Sequence, residues 1–287
     1  MSIGIVTDTA ADLAIRTMLE HGIAYVNHSI VVDNLARRDW RDLDPDKLYA
    51  ILQNTQTPPQ LRPASKNDFK TVYSNFLEQH QHLISIHVSN QMSGTIKHAF
   101  AARKELRFED RVTIVDSKTI SIALAEIVLE ANKLAKQDEP IEQILWAIEH
   151  IQHSSSLYFV PDSIKWLANR KSTKSSSIID SFQGQCPVFN LSNGKLQKLA
   201  NLHKSQVKEY ISKSLVAEYT DKPIHFALAY AGDDRAVIEG LKRHFEFSGL
   251  EIIRARTQKM GSLLGLMLGP KSISVYAHKS LGACLKF

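Results

Sequence analysis

Three hydroxyls and two carboxylates in this 287-residue chain stand where α/β proteins commonly do chemistry. Ser89, Ser93 and Thr95 lie in the stretch His82–Ala102, where Leu83, Ile84, Ile86 and Val88 read as a short strand and a helical pattern starts at about Gly94. Such a junction places backbone N–H groups and hydroxyls at the carboxyl edge of a parallel sheet, and the helix N-terminus favours an anion. Ser93 is then either a capping residue or an anion ligand. It has no histidine–acid pair close in sequence and no GxSxG elbow. Asp8 and Asp116 each end a predicted strand, a position suited to acid–base or metal chemistry, but a carboxylate there also caps a helix or ties down a loop.

Other chemistries find little support. HExxH and CxxC metal patterns are absent, as are the GxGxxG and GxxxxGK[ST] phosphate loops, so neither a metal nor a nucleotide cofactor is expected. His80, His82, His98 and His150 read as solvated, and His278 has no specific context. The formal charge of +5 does not point to nucleic acid, because the basic runs Arg37-Arg38, Arg170-Lys171 and Lys242-Arg243 are short and lack interleaved aromatics. Two cysteines, Cys186 and Cys284, argue for a reducing compartment rather than a disulfide scaffold. The start SIGIVTD reads as a strand and not a signal peptide, and no apolar run reaches the roughly 20 residues that cross a bilayer, so a cytoplasmic protein is expected.

The elements that must position these groups follow from the apolar pattern. Ile3–Val6 is a strand ending at Thr7-Asp8-Thr9, with a helix expected over Asp12–His21. Ile23–Val32 reads as one strand with His28 or Ser29 exposed, and Val31–Asp44 as a charged surface excursion. Asp44-Pro45 opens a helix, and Ser65 with Asp68 forms a capping box for a helix to about His80. Strand Val112–Val115 and helices Ser121–Lys136 and Pro140–Gln152 follow the central junction. Alternating strands and helices predict a doubly wound, mostly parallel α/β sheet domain over residues 1–154. Residues 155–287 predict a smaller α+β domain with an Asn193-Gly194 hairpin. The polar run over 169–185 is read as a docked insert.

The segments IVTDTAADL, VSNQMSGTIKHAFAA, VDSKTISIALAEIVLEANKLA and FVPDSIKWLANRKS together resemble the DegV family, in order and spacing across essentially the whole chain. The resemblance implies a two-domain α/β protein that binds a long-chain fatty acid in a tunnel between the domains. It also implies a non-catalytic role, in which the acyl carboxylate is presented to a fatty acid kinase subunit. Ser93-Gly94-Thr95 matches the family's Ser-Gly-Thr, which makes Ser93 the expected carboxylate ligand, flanked by Ser89 and Asn90. Arg170 falls at the family's Gly-Gly-Arg turn and is the expected partner contact.

Two departures stand out. Leu61-Arg62-Pro63-Ala64-Ser65 replaces Thr-Ser-Gln-Pro-Ser, so Arg62 takes the place of a ligand-contacting serine. Gly265–Lys271 replaces Gly-x-His-Thr-Gly-Pro-Gly, so Met267 takes the place of the pocket histidine. An inward Arg62 would clamp a carboxylate, and Met267 would line or plug an acyl tunnel. Two other readings stay open. One is an enzyme for a small anionic substrate clamped by Arg62 and Ser93, with Asp8 or Asp116 as acid–base group. The other is a structural or regulatory protein whose pocket is vestigial.

Overall fold

Two strands buried along their whole length, each carrying polar residues among its apolar ones, make the centre of the first sheet. All six residues of β1 (Ile3–Asp8) are buried, as are all six of β6 (His82–His87). The computed structural model describes residues 2–54, 59–163, 166, 185–233 and 235–282. In it, β1 and β6 pair in parallel, flanked by β2 (Ala24–Val26) and β7 (Val112–Asp116), in the order β2-β1-β6-β7. Helices α3 (Lys66–Phe76), α4 (Thr95–Leu106), α5 (Ser121–Lys136) and α6 (Ile141–His153) accompany this sheet. The Ser65–Asp68 capping box starts α3 as expected, with both reciprocal bonds present.

A second, antiparallel sheet holds β3 (Ser29–Val32), β4 (Leu35–Arg38) and β5 (Gln60–Arg62) in the order β4-β3-β5. Several expectations change here. Ile23–Val32 is not one strand: it breaks at Asn27-His28 and passes from the parallel sheet into the antiparallel one. The break turns His28 fully inward, where its N–H donates to Thr9 Oγ1 at 3.0 Å. The charged stretch after Val31 is a hairpin whose Asp33-Asn34 turn has φ of 50° and 64°, and it leads to a fully buried Asp39. The helix expected from Asp12 begins only at α1 (Ile15–Glu20), because Asp12 ends a short 3-10 turn in the left-handed region, φ 55°. His82 is also buried rather than solvated, bonded to Thr113 Oγ1 at 2.8 Å.

The third sheet is mixed, in the order β10-β9-β8-β13-β11-β12. Its strands are β8 (Ser155–Val160), β9 (Gln185–Ser192), β10 (Lys195–His203), β11 (Ile224–Tyr230), β12 (Ile252–Lys259) and β13 (Ile273–Lys279), and only the β11–β12 pair is parallel. Helices α7 (Val207–Tyr219), α8 (Arg235–Glu246) and α9 (Ser262–Leu268) complete this α+β unit. One apolar cluster runs through both units, joining Ile5, Ile84 and Ile127 to Ala229, Leu264 and Met267. Helix α2 (Pro45–Asn54) meets α9, where Tyr49 Oη donates to Met260 O at 2.8 Å. A Cβ on Gly265 would lie 2.4 Å from that Tyr49 oxygen, so the glycine sets how closely the two helices approach. No helix of the described residues is long and apolar enough to cross a membrane.

Candidate functional site

The turn after β6 is closed by Ser89. Its carbonyl accepts from Met92 N and Ser93 N at 2.9 and 3.1 Å, and its Oγ accepts from Gln91 N at 3.2 Å. Ser89 Oγ donates in turn to Gly194 O at 3.4 Å, at the tip of the β9–β10 hairpin. Gly194 has φ +76°, and a Cβ there would fall 2.1 Å from Ser89 Oγ, so glycine is what lets the tip seat. The hairpin of the second unit therefore covers the turn of the first.

Ser93 and Gly94 lead into α4, and Thr95 is its first residue. Ser93 is half-buried; its Oγ accepts from Thr95 N at 3.3 Å and lies 2.8 Å from Thr95 Oγ1. Ser93 thus serves as a local cap while standing at the positive end of a helix. Asn90 and Arg62 are exposed, with Arg62 on β5 opposite Ser29. Met267 is buried in the cluster that joins the two units, against which Leu61 and Met92 also pack. Arg170 and the polar run around it lie outside the described residues.

From Ser93 a polar relay runs inward. Thr95 Oγ1 meets His28 Nε2 at 2.9 Å, and His28 Nδ1 faces Thr9 Oγ1 at 3.1 Å and Asp8 Oδ1 at 3.9 Å. Asp8 Oδ2 accepts from His87 Nδ1 at 2.9 Å, and His87 Nε2 continues to Ser85 Oγ at 2.6 Å and then to Tyr73 Oη at 2.8 Å. Every member beyond Ser93 is fully buried. Buried polar groups must be satisfied, and Asp8 is: it also accepts from Ala10 N at 3.0 Å and Val88 N at 3.1 Å. Burial pushes the Asp8 pKa up, but the His87 hydrogen bond, the neighbouring imidazoles of His28 and His87 and the Val88 N–H outweigh it and hold the carboxyl below its ordinary range. Burial pushes the His28 imidazole down towards its neutral form, only partly offset by Asp8. Asp116 ties its own loop to the turn after β6, accepting from Lys118 N at 3.0 Å and from Asn90 N at 3.3 Å.

Two further clusters join the units, and reading along the chain misses both because their members are far apart in sequence. Ser121 Oγ donates to Asp12 and Ser262 Oγ to Asp39, both carboxyls being fully buried. Burial raises Asp12 to about 8 and Asp39 to about 7, against the pull of those hydroxyls. Glu126 on α5, His225 on β11 and His278 on β13 place one possible metal-ligand atom each within 4.8 Å of one another. Arg256 Nε lies 2.7 Å from Glu126 Oε1, so a guanidinium already supplies the positive charge at that carboxylate. His278, pushed down to about 3 by burial and by His225, stays neutral beside it.

Fold and site define a class: a two-unit α/β protein with a hydroxyl-bearing, anion-favouring helix start covered by a hairpin from the second unit. The chain belongs to the DegV family of uncharacterised proteins, whose family model matches residues 2–280. Among similar structures is that of a DegV family protein from Thermus thermophilus, described for its fatty acid binding: TM-score 0.90 and 25% identity, covering 98% of this chain and 100% of that one. DegV from Bacillus subtilis, described as a fatty acid binding protein, shares the fold with a TM-score of 0.82 at 20% identity, covering 98% of this chain and 100% of its own. A DegV domain-containing protein of Deinococcus radiodurans is 24% identical over 287 residues, spanning 96% of this chain and 98% of its own length.

Proposed function

We propose that the protein binds a long-chain fatty acid or a similar amphiphile, with the carboxyl group at Ser93-Gly94-Thr95 and the tail in a tunnel between the units 1–154 and 155–287. The observation that carries this reading is Ser93 itself: a half-buried hydroxyl at a helix N-terminus, in a chain that matches a fatty-acid-binding relative over 98% of its length. A charge-assisted bond from such a group contributes about 1.5–3 kcal/mol. Each buried CH₂ adds about 0.8 kcal/mol before binding costs, so the tail dominates affinity. Leu61, Met92 and Met267 are the apolar neighbours proposed to meet it. The fatty acid is the ligand, with no other cofactor, and the protein carries it rather than transforming it. Arg170 is the proposed contact with a fatty acid kinase subunit, to which the carboxylate would be presented.

The burial of Met267 favours a second reading, a pocket closed by its own side chains. Denaturing the purified protein and analysing released small molecules by mass spectrometry separates the two. Release of a stoichiometric fatty acid supports the first. An empty protein that also refuses palmitate and stearate overturns it.

A further inference from the structure

Ser93 ends a hydrogen-bonded relay, and the direction of that relay follows from which groups can donate. Asp8, its carboxyl held below the ordinary range, has Oδ1 3.9 Å from His28 Nδ1, and Thr9 Oγ1 is 3.1 Å from the same nitrogen. Negative charge and an oxygen on that side both favour the proton on Nδ1. A neutral His28 then has a bare lone pair on Nε2, which takes the Thr95 hydroxyl hydrogen across 2.9 Å. Thr95 has no second hydrogen to offer, so across the 2.8 Å contact Ser93 must donate to Thr95. The outward side of Ser93 Oγ is therefore a lone pair. A carboxylate also carries only lone pairs, so the two repel unless the relay reverses.

We propose that His28 positions the head-group serine, and that binding an ionised carboxylate at Ser93 takes up one proton on His28 Nε2. With that proton, His28 donates to Thr95, Thr95 donates to Ser93, and Ser93 donates to the ligand. The exchange balances: the buffer loses one proton, the imidazole gains it, and the site accepts a carboxylate with no net change in charge. The charged and titratable groups that face His28 are Asp8 from β1, His87 from β6 beyond Asp8, and Asp39, whose N–H donates to His28 O at 2.9 Å. From α4 it meets the neutral Thr95 hydroxyl. Asp8 is the group that makes an imidazolium tolerable at this depth, because it is a carboxylate already held in its charged form. Ser93 then discriminates by protonation: it receives an acid only together with a proton.

The inference rests on the fatty-acid reading, and titration calorimetry of the whole chain with palmitate tests the two separately. Runs in buffers of different ionisation enthalpy report the number of protons taken up. Wild type should take up one, and its affinity should fall about tenfold per pH unit above neutrality. His28→Gln, whose amide donates permanently to Thr95, should bind with no uptake and without that pH dependence. Thr95→Val cuts the relay while leaving the His28 side chain in place and should also abolish uptake, while Thr95→Ser should keep it, so a His28 variant that fails to fold leaves the test intact. Binding without proton uptake in wild type overturns the proposal. So does uptake that persists in both His28→Gln and Thr95→Val, which would place the proton on the ligand. Absence of any palmitate binding would instead overturn the fatty-acid reading.

Discussion

Replacing Asp12 by Asn should remove an alkaline loss of stability that the wild-type chain shows. Asp12 has a folded pKa raised from 3.8 to about 8, first by burial and then by the neighbouring carboxyls Asp39 and Asp8. A raised carboxyl binds its proton more tightly in the folded state, so its contribution is complete at low pH and is lost as pH climbs from 3.8 through about 8. Histidines act in the opposite sense below their ordinary value. His278, lowered from 6.5 to about 3, makes stability rise with pH until about 6.5 and contributes no slope above it. The window from about 6.5 to about 8 is thus left chiefly to Asp12, with Asp39 adding only up to about 7. About 1.5 pH units at about 1.4 kcal/mol per unit give a loss of about 2 kcal/mol. In thermal unfolding of a chain this long that is a fall in Tm of about 3–4 °C. Asn keeps the shape and an acceptor for Ser121 but cannot ionise, so Asp12→Asn should unfold at nearly the same temperature at both ends of the window. Equal wild-type stability at the two ends, or an equal fall in the variant, would refute the reasoning.

Ser93→Ala should weaken palmitate binding by about 10- to 100-fold, the loss of one charge-assisted bond, measured by calorimetry or displacement of a fluorescent fatty acid. Glu126→Gln should cost about 3 kcal/mol in denaturant unfolding, because it leaves Arg256, only 21% exposed, without its counter-ion between the units. Gly194→Ala should destabilise by more than about 1 kcal/mol and loosen the hairpin, since it combines φ +76° with a contact of 2.1 Å to Ser89 Oγ. Faster amide exchange at Gly194–Lys195 and Ser89–Gln91, with the rest of the chain unchanged, would show that the hairpin tip has lifted.

Much of the frame was legible because it is local. The buried runs Ile3–Val6 and Leu83–Val88, the capping box at Ser65 and the Ser93-Gly94-Thr95 helix start all depend on residues within a few positions of one another. What escaped is what depends on distance along the chain. His28 sits in a β-branched run whose alternation suggests an exposed face, yet the break at Asn27 turns it towards Thr9, Asp8 and Thr95, the last of these 67 positions away. Asp39 reads as part of a charged surface stretch but meets Ser262 across the interface between the units. A signal did exist: Thr7-Asp8-Thr9 packs three polar groups into the end of a buried strand, and buried polar groups require buried partners. Arg62 and Met267 were identifiable as departures, but only the fold shows that one is exposed and the other buried between the units.

The most direct measurement is the carboxyl-carbon NMR resonance of palmitate, labelled with carbon-13 at that position, bound to the whole chain. A head group held by Ser93 predicts one bound resonance, displaced from that of the free carboxylate, which shifts again in Ser93→Ala under saturating ligand. A bound resonance identical in wild type and Ser93→Ala, or none in wild type, would contradict a head group held at this serine.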